Sequence, residues 1–162
     1  MIKYSSSLPK LHPATIIVTW FYSGLSPFAP GTLGSLCAIP FAWFIVSTWG
    51  NLTLLSITCF LFFVGWILSF WALKILNDED PACIVIDEVV GQWLVLVIVP
   101  QELFWYALAF VLFRIADIAK PWPVSTIDKK IKNALGVMLD DVSAGIYALG
   151  MFWLIYSLFR WT

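Results

Sequence analysis

The sequence predicts an all-α membrane protein: a polytopic helical bundle of about five spans plus a short N-terminal interfacial or half-inserted helix. Three observations predict this class. Of 162 residues, 61% are hydrophobic and 12% are charged, whereas soluble domains are typically about 25% charged. The mean hydropathy is +0.91. The apolar residues form long runs separated by short polar connections, which indicates one membrane-embedded domain over residues 1–162.

Five apolar runs approach the length of a spanning helix, which is about 20 residues. They cover residues 33–48, 52–76, 82–99, 103–119 and 142–161. Residues 13–22 are too few to span a bilayer and predict the short N-terminal helix.

The positive charges are distributed unequally between the two ends of these spans. The tight turns at residues 49–51 and 100–102 lie on one side, and the longer connections lie on the other. Eight of the nine basic residues fall on the second side, and only Arg160 falls on the first. The eight are Lys3, Lys10, Lys74, Arg114, Lys120, Lys129, Lys130 and Lys132. The positive-inside rule predicts that this side, with the N-terminus, is cytoplasmic. A net charge of −1 gives no basic footprint for nucleic acid.

Two adjacent carboxylates, Asp87 and Glu88, interrupt the apolar stretch IVIDEVVGQWLVLVIV at residues 84–99. Asp80-Pro81 has the pattern of a helix N-cap and first turn, so we expect Asp87 well inside the third span. Ionisable groups at membrane depth usually mark function. The alternative is a pair at headgroup level that reaches water.

The segment FRIADIAKPWP at residues 113–123 carries Arg114, Asp117 and Lys120 at intervals of three. This spacing predicts one polar ridge at the cytoplasmic end of the fourth span. Arg114 and Lys120 suit a phosphate ligand. An internal ladder of salt bridges is the alternative.

The segment GVMLDDVSAG at residues 136–145 places Asp140 and Asp141 at the entrance to the last predicted span. Capping of the helix N-terminus would explain Asp140 alone but not both acids. The small residues that follow permit close helix packing.

The loop SGLSPFAPGTLGS at residues 23–35 offers the hydroxyls of Ser23, Thr32 and Ser35 and several backbone amides. These groups could cradle a phosphate, although a turn that re-enters the membrane fits equally well. Lys129, Lys130 and Lys132 predict a contact with anionic lipid.

Five acids from three segments therefore collect near one membrane face: Asp87, Glu88, Asp117, Asp140 and Asp141. Without compensation such a cluster repels itself, and Mg²⁺ prefers oxygen ligands of this kind. The single histidine and three scattered cysteines provide no zinc set. The sequence predicts a Mg²⁺ site at the cytoplasmic face, suited to phosphoryl chemistry on a lipid headgroup.

Taken in order, these four motifs resemble those of the bacterial phosphatidylglycerophosphatase A family over residues 23–145. The resemblance implies a Mg²⁺-dependent phosphatase of the bacterial inner membrane that acts on the phospholipid phosphatidylglycerophosphate. It implies that the five acids match the family's acidic positions. Of these, we predict that Asp87, Glu88, Asp117 and Asp141 act in catalysis. Arg114, Lys120 and Asp128 match its polar segment. This chain departs from the family at Trp20–Tyr22, where small residues are frequent.

Two other classes also use acids in membranes. A lipid headgroup transferase of the CDP-alcohol type clusters its acids along two consecutive helices after an Asp-Gly pair, which this chain lacks. A cation carrier or channel component would place acids at the midplane or on both faces. The one-sided arrangement favours the phosphatase, with Asp87 or Glu88 as general base.

Overall fold

The computed structural model describes residues 8–78, 81–122 and 124–161, without the side chains of residues 127–129, 160 and 161. All regular structure within these ranges is helical. The helices are α1 (Pro13–Val18), α2 (Pro30–Trp49), α3 (Asn51–Leu76), α4 (Ile86–Leu96), α5 (Leu103–Ala119), α6 (Val124–Lys130) and α7 (Ala134–Trp161), with one 3₁₀ turn at Ser23–Leu25. The predicted all-α class is confirmed.

Helix α4 forms the centre of the bundle. Nine of its eleven residues are buried, and it packs against α2, α3, α5 and α7. The surrounding helices turn large apolar side chains outward, such as Phe44, Phe60, Ile115 and Trp153. Because these helices separate α4 from the lipid, its polar residues are enclosed by protein.

Three of the described helices, α2, α3 and α7, are long and apolar enough to cross a membrane. Helix α5 has 17 residues, at the lower limit for a span. At about 1.5 Å per residue, α4 extends only about 16 Å, roughly half of the hydrocarbon core. The membrane character of the bundle follows from the three long helices, and the count of five spans stays a prediction.

Two helices begin at positions that differ from those expected. Helix α4 begins at Ile86 and not after Pro81, so Asp87 and Glu88 lie in its first turn. Helix α7 begins at Ala134, and Asn133 caps it by accepting hydrogen bonds from the amides of Leu135 and Gly136. Asp140 therefore lies nearly two turns inside α7, and the alternative that it caps this helix is wrong.

The aromatic segment Trp20–Tyr22 adopts a left-handed backbone, with φ of 43°, 54° and 69°. This region disfavours residues with a Cβ. Packing offsets the strain, because the Trp20 ring meets Phe41 and Trp93 edge-on. The preceding helix also anchors the start of α4, since the amide of Val85 donates to the carbonyl of Val18 at 2.8 Å. The N-terminal segment thus fixes the position at which α4 begins.

Helices α4 and α7 approach closely at two glycines. A Cβ on Gly91 would lie 2.6 Å from the carbonyl oxygen of Asp141 and 2.6 Å from Phe113. A Cβ on Gly145 would lie 2.9 Å from the carbonyl oxygen of Gly91. The small-residue contact expected from the sequence is present, and it brings the acidic residues of the two helices together.

Replacing Gly91 with alanine is expected to destabilise the protein by about 1–3 kcal/mol, the usual range for overpacking. The backbone carbonyl of Asp141 can make room only if α7 moves. Thermal unfolding in detergent measures the change. Gly150→Ala is the matched control, because a Cβ there meets no atom within 4 Å. Equal unfolding temperatures for the two variants would contradict the close approach.

Candidate active site

A polar cavity of about 650 Å³ lies at the end of the bundle where α2, α4 and α7 begin and α5 ends. We call it the acidic cavity. Within the described part of the chain, five carboxylates and three cations line it, which is a formal excess of two negative charges. They are Asp87, Glu88, Asp117, Asp140, Asp141, Arg114, Lys120 and Lys132.

The acids form two groups that share Asp141. Asp87, Glu88 and Asp141 each offer an oxygen within 4.8 Å of the others, and so do Asp117, Asp140 and Asp141. Asp87, Asp140 and Asp141 are buried. Carboxylates this close repel one another and lose solvation, so the arrangement needs positive charge in the cavity.

Two basic residues supply part of that charge to the second group. Arg114 Nη1 lies 2.8 Å from Asp117 Oδ2, with both side chains 13% exposed. Lys120 Nζ pairs with Asp140 Oδ2. Of the salt-bridge ladder considered for α5, the Arg114–Asp117 pair is present. Lys120 instead pairs with Asp140 on α7. These pairs hold the two cations at the cavity wall.

The first group contains buried oxygens that the described residues leave without a hydrogen bond. Glu88 Oε2 and Asp141 Oδ2 are such atoms. Buried polar atoms normally have partners, and an oxygen-only set of this kind fits a hard divalent cation. The buried acidic groups could therefore bind a metal ion.

The adjacent acids Asp87 and Glu88 have different surroundings, because neighbours on a helix diverge by about 100°. Asp87 Oδ1 accepts a hydrogen bond from the Glu88 amide at 3.1 Å. Glu88 reaches across to α2, where its Oε1 occupies the space next to Gly31. Arg114 Nη2 borders the same position. Glu88 therefore lies beside a guanidinium group, which is well suited to bind phosphate.

The three hydroxyl residues predicted from the 23–35 loop lie at different distances from the cavity. Thr32 lines the acidic cavity. Ser35 lies behind it, where its hydroxyl accepts a hydrogen bond from Arg114 Nη1 at 3.3 Å and donates to the Gly31 carbonyl. Ser23 is not brought to the cavity, because its hydroxyl donates to the carbonyls of Thr19 and Trp20. The side chain of Asp128 lies outside the described residues.

Several residues that line the cavity were not predicted as site residues from the sequence, and two of them bear on its chemistry. Lys132 lines the cavity, although its neighbours suggested only a lipid contact. Lys132 lies two residues before the start of α7. Had that helix start been known from the sequence, it would have placed Lys132 at the same end of the bundle as the acids. Gly31 is the second, and its close approach to Glu88 involves residues 57 positions apart in the sequence.

A cysteine nucleophile is not part of this cavity. Cys83 lies between two lining residues but does not line the cavity itself. Cys83 is a free cysteine whose side chain is buried. Among the described residues, oxygen ligands and cations carry the chemistry of the site.

The fold and the cavity together define a helical membrane protein with a carboxylate-rich site bordered by phosphate-binding cations. The family model of phosphatidylglycerophosphatase A matches residues 16–156. The chain belongs to the phosphatidylglycerophosphatase A family, whose members are phosphoric monoester hydrolases.

Three relatives illustrate the similarity. Phosphatidylglycerophosphatase A of Escherichia coli is 38% identical over 93% of this chain and 87% of its own length. The Haemophilus influenzae protein of the same name is 38% identical over 86% of each chain. A Bacteroides thetaiotaomicron protein provisionally named phosphatidylinositol-3-phosphatase is 40% identical over 99% of this chain and 98% of its own. No solved structure matches this chain.

Proposed function

We propose that this enzyme hydrolyses phosphatidylglycerophosphate to phosphatidylglycerol and inorganic phosphate at the cytoplasmic face of a bacterial inner membrane. The observation that carries the proposal is the convergence of five acids and three cations in one cavity of a chain from this family. The excess of basic residues at the same end of the predicted spans supports the cytoplasmic orientation.

The metal is proposed to be Mg²⁺. Asp87 and Asp141, with Glu88 beside them, would hold it, because their clustered oxygens match its preference for oxygen ligands. Its bound charge would neutralise phosphate oxygens and help orient the ester.

The protein's own cations are proposed to bind the phosphomonoester. Arg114 presents a guanidinium already oriented by Asp117 and Ser35, and Lys120 is held by Asp140. Fixing these side chains before the lipid arrives lowers the entropy lost on binding. Asp117 and Asp140 would thus act mainly through the cations that they position, while the hydroxyl of Thr32 borders the same space.

Glu88 is proposed as the general base. Its Oε2 is buried without a hydrogen bond from the described residues, and its Oε1 borders Arg114 at Gly31. A carboxylate beside a bound phosphate can accept a proton from the water that attacks phosphorus. Asp87, whose Oδ1 already accepts the Glu88 amide, is the less available of the adjacent pair.

Two observations favour a second candidate substrate. The relative provisionally named phosphatidylinositol-3-phosphatase matches nearly the whole chain, and a cavity of about 650 Å³ leaves room for a headgroup larger than glycerol phosphate. Phosphatidylinositol 3-phosphate is therefore the alternative lipid, with the same phosphomonoester chemistry.

Phosphate release by the purified protein in detergent tests the proposal. With phosphatidylglycerophosphate and Mg²⁺ we expect turnover, and we expect EDTA to lower it at least about 100-fold, reversibly, as for metal-dependent catalysis. Phosphatidylinositol 3-phosphate serves as the competing substrate, and the larger kcat/KM identifies the preferred lipid. Absence of phosphate release from phosphatidylglycerophosphate by folded protein would overturn the proposal.

A further inference from the structure

A second cavity, of about 440 Å³, lies between α3 and α7. Its walls are apolar side chains of α3 and the residues that begin α7. The lining residues are Trp66, Ile67, Phe70, Asn133, Ala134 and Leu135. We call it the α3–α7 groove. Ile67 is 65% exposed and Phe70 is 55% exposed, so the groove opens toward the lipid.

The groove and the acidic cavity share one short segment of chain. Ile131, Lys132, Gly136 and Val137 line the acidic cavity, whereas residues 133–135 line the groove. The two spaces therefore border the same short stretch of chain at the start of α7. A ligand with a polar end and an apolar end could occupy both by passing over this single turn.

Lysines border both spaces. Lys132 lines the acidic cavity. Lys74 Nζ lies 4.2 Å from the centre of the Phe70 ring, and Phe70 lines the groove. An anion that sits at the boundary between the groove and the cavity would therefore meet positive charge on both sides.

The proposed substrate has two phosphates of different kinds. Its terminal phosphomonoester is the group to be cleaved, and a phosphodiester joins the headgroup to the diacylglycerol. Arg114 and Lys120 are engaged with the acids around the monoester. The diester adds one further negative charge, and Lys132 lines the acidic cavity next in sequence to Asn133, which lines the groove.

We propose that Lys132 binds the phosphodiester of the substrate while one acyl chain of the same lipid lies in the α3–α7 groove. The inference rests on the proposed lipid phosphatase function and extends it to the part of the lipid that does not react. Lys132 is then a specificity-determining residue, which favours lipids that carry a diester as well as a monoester. Phosphatidic acid lacks the diester and is the disfavoured lipid.

Photolabelling tests the groove without requiring turnover. The probe is phosphatidylglycerol with a diazirine in one acyl chain, and mass spectrometry maps the adducts. We expect adducts within residues 66–70 or 133–135 that excess unlabelled phosphatidylglycerol removes. Ile67→Trp, which fills the groove, should reduce them about tenfold, the effect of losing roughly two buried methylenes. Ile115→Trp, at an exposed position on α5, should leave them unchanged.

Inhibition constants test Lys132. With Lys132→Met we expect the inhibition constant of phosphatidylglycerol to rise about tenfold, as for loss of one charge-assisted contact. The constant for inorganic phosphate, which mimics the monoester, should stay the same. Lys130→Met is the matched control, because Lys130 is exposed and lines neither cavity.

The outcomes distinguish failure of this inference from failure of the proposed phosphatase function. Adducts spread evenly over the outward helix faces would show bulk lipid only and would overturn the groove assignment. Equal effects of Lys132→Met on both inhibitors, or no effect on either, would overturn the diester assignment. If wild-type protein releases no phosphate from phosphatidylglycerophosphate, the proposed function fails, and the labelling pattern still reports on the groove.

Discussion

Replacing Asp141 with asparagine is expected to lower kcat for lipid phosphate release by about 1,000-fold, the scale of losing a central charged group in a catalytic site. Asp141 is the residue that both carboxylate groups share. Asparagine keeps the size of the side chain and removes its charge, so the loss would report on electrostatics and not on packing. Initial rates over a range of Mg²⁺ concentrations measure the effect.

The same substitution should not weaken the fold. Asp141 is buried among other acids, so without metal its ionised form repels its neighbours. We expect the unfolding temperature of the metal-free variant to equal or exceed that of the wild type. Glu102→Gln is the control, because Glu102 is exposed at the opposite end of α5. Turnover by Asp141→Asn within about tenfold of the wild type would exclude a central role.

Much of the acidic cavity could be predicted from the sequence because its residues occur in compact local motifs. Asp87 with Glu88, Arg114 with Asp117, and Asp140 with Asp141 each lie within four positions of one another. Alternation of helix direction brings such motifs to one end of a bundle. All seven of the predicted acids and bases at positions 87–120 and 140–141 line the cavity.

The helix starts could not be predicted, because they depend on contacts that are distant in sequence. The Asp80-Pro81 pair looked like a start of α4, but the Val85 amide is bonded to Val18 and the helix begins one residue later. Asn133 caps α7. In the sequence it is one of several polar residues in this region, and nothing local marks it as the cap. The late start of α4 puts its acids in the first turn, and the early start of α7 puts its acids inside the bundle.

The roles of the loop hydroxyls depend on the same long-range geometry. Ser35 reaches Arg114 across 79 positions of sequence, and no local pattern specifies that hydrogen bond. Ser23 belongs to a turn that satisfies its hydroxyl locally. A loop rich in Ser, Thr and Gly predicts that some residue approaches the ligand, and the fold decides which one.

Replacing Gly31 with alanine is expected to lower turnover about 100-fold, the cost of shifting a catalytic group by about 1 Å. A Cβ at Gly31 would lie 2.1 Å from Glu88 Oε1 and 3.3 Å from Arg114 Nη2. The carboxylate is the free end of a flexible side chain and can move away. Stability should therefore change by less than about 1 kcal/mol while the proposed base and its neighbouring cation lose their positions.

Glu88→Asp provides the decisive comparison for Gly31, because it shortens the side chain that the new methyl group would meet. If that contact is the cause, Gly31→Ala should lower turnover much less in the Glu88→Asp background than in the wild type, a coupling that a double-mutant cycle measures. Gly150→Ala controls for the added methyl group, since no atom lies within 4 Å of its Cβ. Additive losses would show that Gly31 acts through something other than Glu88, such as the geometry of the first turn of α2.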